Sequence, residues 1–232
     1  MATGITSILK SKRVEDVLAH LPITGTTAYS QGQIIYGPEH LSKSLYLVIS
    51  GKVLISRVAE EGSEVILEIV RPEELFGESG FFAGPRRSEQ ATAIEKVTVM
   101  TWAISDMEDM VTKRPRLAVA LLQVLAERNA EFSRRIESLS LESIEQRLAR
   151  SLLRFSERLG QPEEDGTVKL MPLTHELLSR YVGTSREIIT QYMNRFRKQG
   201  YVSYSRHGII LNCDVLKTAL HKLNGSSGAT SN

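Results

Sequence analysis

The densest chemistry in this 232-residue chain lies in five consecutive residues, Gly183-Thr184-Ser185-Arg186-Glu187. A glycine that tolerates left-handed backbone is followed by two hydroxyls, a guanidinium and a carboxylate. Upstream, Thr174 is a good helix N-cap and opens a helical run, His175 to Val182, that Gly183 stops. Thr184 is expected to start the next helix, with Glu187 three residues on completing a capping box. That helix turns Ile188, Ile189, Tyr192, Met193 and Phe196 inward and leaves Ser185, Arg186, Thr190, Gln191 and Asn194 on its other face. Strands at Val202–Ser205 and Ile209–Asn212, joined through Arg206-His207-Gly208, add a β-hairpin. Helix, tight turn, helix and hairpin make a winged helix-turn-helix, whose second helix enters the DNA major groove. Arg186 can donate twice to guanine, Glu187 can accept from cytosine, and Gln191 suits adenine or a phosphate. Ser185, Arg206 and His207 suit phosphates, which position without selecting sequence. With Thr174 and Thr190 they form the candidate DNA-contact set. The plainer alternatives are a purely local capping role for Glu187 and an αα-hairpin with a solvated charged face.

Charge agrees with a polyanion partner for this end. Ile144–Leu223 carries 13 Lys and Arg against 8 Asp and Glu, so +5, while residues 1–143 carry −3.

Other elements must place this unit. Arg114 to Leu139 is a long helix by pattern, with Pro115 tolerated in its first turn. Ala118, Leu122, Leu125, Asn129, Phe132, Ile136 and Leu139 alternate four and three apart, a coiled-coil seam with one polar position. A second stripe, Leu117, Leu121 and Val124, is free to pack on a neighbouring domain. The alternative is one amphipathic helix buried in a monomer. From Thr26 to Ala103, short β-branched and aromatic runs (Gln33–Tyr36, Ser44–Ile49, Lys52–Val58, Glu64–Val70, Val97–Ile104) alternate with Gly, Pro and acidic turns, which predicts an antiparallel sandwich or roll. Residues 5–22 read as a short helical lead, Ser140–Glu142 as a hinge, and 160–167 as an acidic loop. The expected class is α+β, divided as an N-terminal β-roll (1–113), a dimerisation helix (114–139), a winged helix-turn-helix (140–223) and a flexible tail (224–232).

Composition narrows the remaining classes. At 41% hydrophobic and 24% charged residues the chain is ordinary globular protein. One cysteine, Cys213, cannot close an internal disulfide or hold an iron–sulfur cluster, and is expected to be a small buried hydrophobe. His20 and His40 have no pattern supporting haem ligation. No apolar run approaches the roughly 20 residues of a membrane helix, and no secretory leader precedes the first strand, so the expected compartment is the cytoplasm. Gly-x-Ser-x-Gly, HExxH and P-loop motifs are missing; Glu78 and Glu89 flank Arg87, which suits anion binding better than acid–base catalysis. The expectation is therefore no enzyme.

Over residues 25–220 the sequence resembles the CRP/FNR superfamily of bacterial transcription regulators. The markers are Gly32, Gly51, the cassette Phe76-Gly77-Glu78 with Arg87-Ser88, the long helix, and Gly183-Thr184-Ser185-Arg186-Glu187. The resemblance implies a symmetric homodimer on double-stranded DNA with a pseudo-palindromic operator, contact with RNA polymerase, and an effector in the β-roll. By the same resemblance, cAMP or cGMP would be held by Gly77, Glu78, Ser79, Arg87 and Ser88, with Phe132 and Ser133 of the long helix facing the base. Glu78 would take the ribose hydroxyl, and Arg87 and Ser88 the phosphate. Glu89 departs from the family's small residue and would either repel a phosphate or neutralise Arg87 from within. The open alternatives are a different effector, none, or a regulatory subunit acting on a protein partner.

Overall fold

The computed structural model describes residues 17–226 except Ser42, Glu60, 82–85 and 206–207, with side chains described through Lys222. Most of the helical lead expected at 5–22 therefore lies outside the described residues; its end is a 3₁₀ turn at Val17–His20. The chain divides into two units, Met1–Arg57 with Glu68–Arg134, and Val58–Leu67 with Arg135–Asn232.

The first unit is built on antiparallel strands. β1 (Thr26–Tyr29), β2 (Ile34–Tyr36), β3 (Ser44–Ser50), β4 (Val53–Val58), β5 (Glu64–Val70), β6 (Leu75–Phe76), β7 (Gln90–Ala93) and β8 (Val97–Ala103) form two four-stranded sheets, β1-β8-β3-β6 and β2-β7-β4-β5. The predicted strands are present; β1, β6 and β7 are additional. In β3 and β8 the register pairs Leu45 with Trp102 and Leu47 with Met100 on one face, and Val48 with Val99 on the other. Two helices follow: α1 (Ile104–Lys113), absent from the sequence reading, and α2 (Pro115–Leu141). Leu117 and Ala120 are buried with Leu45, Leu75, Trp102 and Met107, and Leu121 and Val124 pack on the same core. The second stripe of α2 thus packs onto the β domain, while Leu122 and Ile136 of the seam stand 64% and 65% exposed.

Within the second unit α2 ends and a new helix begins. The Glu142 N–H still donates to the Ser138 carbonyl, and the new helix, α3 (Ile144–Leu159), starts from a capping box in which Ser143 and Gln146 each accept the other's backbone N–H. α3 buries Leu148, Leu152 and Phe155. The expected acidic loop is a small hairpin, β9 (Gln161–Pro162) with β10 (Val168–Leu170), because Thr167 and Asp165 close a turn at Gly166. Then come α4 (His175–Val182), α5 (Arg186–Lys198), β11 (Val202–Ser205), β12 (Gly208–Leu211) and α6 (Cys213–Ser226), with sheet order β11-β12-β10-β9. The expected tail from residue 224 is corrected: α6 runs to Ser226, carried by a turn that buries Leu216 and Leu220. Cys213, expected buried, is half-buried, with its thiol 3.4 Å from the Ser156 hydroxyl.

Candidate nucleic-acid interface and effector pocket

α4 opens on Thr174, whose Oγ1 accepts from the Leu177 N–H at 3.0 Å. It closes on Gly183 in the left-handed region (φ 76°), where the N–H groups of Gly183 and Thr184 both donate to the Ser179 carbonyl, at 2.9 and 3.1 Å. α5 starts one residue later than expected. Ser185, not Thr184, is the N-cap, and its Oγ accepts from the Ile188 N–H at 3.3 Å. The expected Thr184–Glu187 capping box is thereby corrected, since the third residue after Ser185 is an isoleucine with no acceptor. Ile189, Met193 and Phe196 are buried, so α5 is pinned along one face, and Arg186, Glu187, Gln191 and Asn194 are exposed on the other. The Glu187 carboxyl sits below its ordinary range, held first by its own backbone N–H and then by the Ser185 hydroxyl. Thr174 accepts a backbone proton, so its hydroxyl keeps its own proton to donate outward, whereas the Ser185 hydroxyl proton goes to Glu187. Thr190 is half-buried: its hydroxyl donates to the Arg186 carbonyl at 2.8 Å and lies 2.8 Å from His175 Nδ1. Arg206 and His207 lie outside the described residues. His175 and Tyr204, which join this cluster, escaped the sequence reading; the signal was a histidine directly after the N-cap.

The roll gathers a second polar group. Gly77, with φ 87°, lets its backbone pass where a Cβ would meet Tyr46, the Ser44 carbonyl and the Arg87 guanidinium at 3.0 to 3.2 Å. Arg87, only 3% exposed, donates to the Gly77 carbonyl at 3.0 Å, the Ser44 carbonyl at 2.5 Å and the Ser79 hydroxyl at 3.2 Å, and lies 3.9 Å over the Tyr36 ring. Glu89, also buried, stands 3.7 Å from Arg87, takes a short hydrogen bond from the Ser79 hydroxyl and another from Ser88 at 3.1 Å. Arg57 donates to Ser88 at 3.0 Å. Burial pushes the Tyr36 phenol up despite Arg87. Glu78, expected to hold a ribose, instead pairs with Arg128 of α2, which also reaches Glu68 at 3.3 Å and the Leu75 carbonyl. Burial opposes the Arg128 charge, but Glu78 and Glu68 outweigh it and raise its pKa. Phe132 and Ser133 stand exposed on α2. The roll therefore brings Gly77, Ser79, Arg87 and Ser88 together around Glu89. Arg128 was legible in principle, four residues beyond Val124 on the stripe that faces the sheet.

Among the described residues, this arrangement opposes a cyclic phosphate. Ser79, Ser88 and Arg87, the donors it would need, already face the Glu89 carboxylate. A second anion about 4 Å from it costs roughly 4 kcal/mol at a protein-like effective dielectric of about 20. Among the described residues no three His, Cys, Asp or Glu side chains are grouped to hold a metal, and no helix is long and apolar enough to cross a membrane.

Comparison with known proteins gives two family matches, a cyclic nucleotide-binding domain over residues 26–114 and a Crp-like helix-turn-helix domain over 146–219. The cyclic AMP receptor protein of Thermus thermophilus is 31% identical over 174 residues, 75% of this chain and 77% of that protein. The chain belongs to the CRP/FNR family. It is a transcription regulator with a helix-turn-helix DNA-binding domain. A CRP-like cAMP-activated global transcriptional regulator of Mycobacterium tuberculosis is 28% identical over 183 residues, covering 79% of this chain and 82% of its own. Among solved CRP/FNR structures, the Thermus thermophilus regulator TTHA1359 superposes with a TM-score of 0.68 at 31% identity, over 86% of this chain and all of that one. The family's β-roll, long helix and helix-turn-helix are the elements described above.

Proposed function

We propose that the protein acts as a homodimer that reads the two half-sites of a pseudo-palindromic operator through α5, with the anion site of its β-roll closed by Glu89 so that DNA binding needs no cyclic nucleotide. The observation that carries the DNA reading is the exposed face of α5, where Arg186, Glu187 and Gln191 project from a helix pinned by Ile189, Met193 and Phe196. Arg186 is the residue for a guanine edge. Thr174 keeps its hydroxyl proton for a phosphate, and Ser185, with Arg206 and His207 of the wing, serves the same backbone. Dimer pairing is assigned to Ala118, Leu122, Leu125, Asn129, Phe132, Ile136 and Leu139. Ala118, Leu122 and Leu125 line an apolar cavity of about 290 Å³ that a partner helix would cover. RNA polymerase is the partner such a regulator needs on DNA, and the cytoplasm the compartment that holds both. The closed roll rests on the pairing of Glu89 with Ser79, Ser88 and Arg87.

The test is selection of the operator from random DNA, followed by affinity of wild type and Arg186→Ala. The variant is expected to lose about 1–3 kcal/mol and its preference at one base pair of each half-site. Uniform binding to all sequences by the wild type would contradict the reading.

A further inference from the structure

His175 joins three elements of the DNA-reading unit. It opens α4, its Nδ1 lies 2.8 Å from Thr190 Oγ1 on α5, and its Nε2 lies 3.2 Å from the Tyr204 hydroxyl on β11. The direction of each hydrogen bond follows from counting protons. Thr190 has one hydroxyl proton, and it goes to the Arg186 carbonyl at 2.8 Å. Thr190 must therefore accept from His175, so Nδ1 carries the ring proton. Neutral Nε2 is then an acceptor, and the Tyr204 O–H donates to it. Tyr204 is 45% exposed, on the wing strand beside the exposed face of α5, yet in this state its only proton is turned inward.

We propose that Tyr204 is a DNA-backbone contact controlled by His175: proton uptake at Nε2 reverses the His175–Tyr204 hydrogen bond and frees the tyrosine O–H to donate to a phosphate. A protonated ring has no acceptor, so the tyrosine proton must point elsewhere. The phosphate acceptor is outside, where DNA would lie. In the free protein the ring is neutral at pH 7, because burial and then the Arg186 charge hold its pKa below the usual value. Among the described residues, the charged and titratable groups near it are Arg186 on α5, Glu176 on α4, which is engaged by Arg180, and Tyr204 on β11, itself raised by burial with Arg197 opposing. DNA phosphates offset the Arg186 charge and accept a hydrogen bond from the freed Tyr204 O–H, so the complex favours the charged ring. The sign is then fixed: binding takes up a proton, and affinity rises as pH falls.

This inference rests on DNA binding by the winged unit, and the experiment separates the two. Affinity of the full-length protein for its selected operator is measured from pH 8 to pH 6 for wild type, His175→Gln and Tyr204→Phe. The wild type is expected to gain several-fold per protomer, one unit of pKa difference between free and bound protein being a factor of ten only once pH lies below both values. Both variants are expected to keep sequence preference and lose most of that gain. A variant that retains the wild-type pH dependence overturns the inference, since another group, such as His207, would then carry it. A wild type with specific but pH-independent affinity overturns the inference and leaves the DNA reading intact, whereas one with no specific site at any pH overturns both. Ring-nitrogen NMR of the free protein at pH 8 gives a second check: the Nδ1–H tautomer is expected, and Nε2–H contradicts the relay.

Discussion

Glu89 decides how the roll behaves. Removing its carboxylate leaves Arg87 buried with one hydroxyl and two carbonyl acceptors around it and frees the Ser79 and Ser88 protons, an arrangement that favours an anion from solvent. Glu89→Ala is therefore expected to gain saturable heat with cAMP or inorganic phosphate, and the wild type is expected to show none up to millimolar levels. Its stability should fall by a few kcal/mol, because a buried guanidinium loses its counter-charge. Unchanged calorimetry in both proteins would contradict the closed-pocket reading. Anion chemistry at Arg87, Ser88 and Glu89 was legible in the sequence because the three are adjacent. The diversion of Glu78 to Arg128 was not, since 50 residues separate them, and neither was the His175–Tyr204 contact across 29. Thr190 shows the converse: its place on the outer face of α5 was readable, but the use of its hydroxyl inside the unit was not.

Long elements were legible from their periodicity and short ones only from their flanks. The long helix, the two helices of the reading unit and β3, β4, β5 and β8 carry enough periods to show their pattern, while β2, three residues long, is marked by Gly32 before it and Gly37-Pro38 after it. β6 has two residues, too few for alternation to register, and β1 (Thr-Thr-Ala-Tyr) and β7 (Gln-Ala-Thr-Ala) carry no large aliphatic side chain to mark an inner face. α1 follows β8 without a loop residue, so no turn signal announced it. Turn glycines were clearer. Gly51 has φ 80°, and a Cβ there would overlap the Lys96 carbonyl oxygen. Gly51→Ala is expected to destabilise the roll by about 2 kcal/mol or more, read from thermal or denaturant unfolding, through combined backbone strain and overlap. The start of α3 offers a milder test. Ser143→Ala removes the side chain that accepts the Gln146 N–H at 3.3 Å and should cost about 1 kcal/mol, with the operator sequence unchanged.

At the scale of the molecule, α2 leaves Leu122, Phe132, Ile136 and Leu139 facing solvent in a single chain. Four large apolar side chains on one stripe of one helix call for a partner surface. Ile136→Asp is expected to shift the protein toward monomer in sedimentation while leaving its circular dichroism intact. Operator affinity should fall steeply, because the second half-site then binds without the advantage of linkage. A dimeric Ile136→Asp protein would move the seam elsewhere. Dimeric reading of DNA with a self-closed roll has one direct test, the affinity of nucleotide-free wild type for its selected operator with and without cAMP. Tight, sequence-specific binding that cAMP leaves unchanged is the expected result; specific binding that appears only when cAMP is added would contradict it.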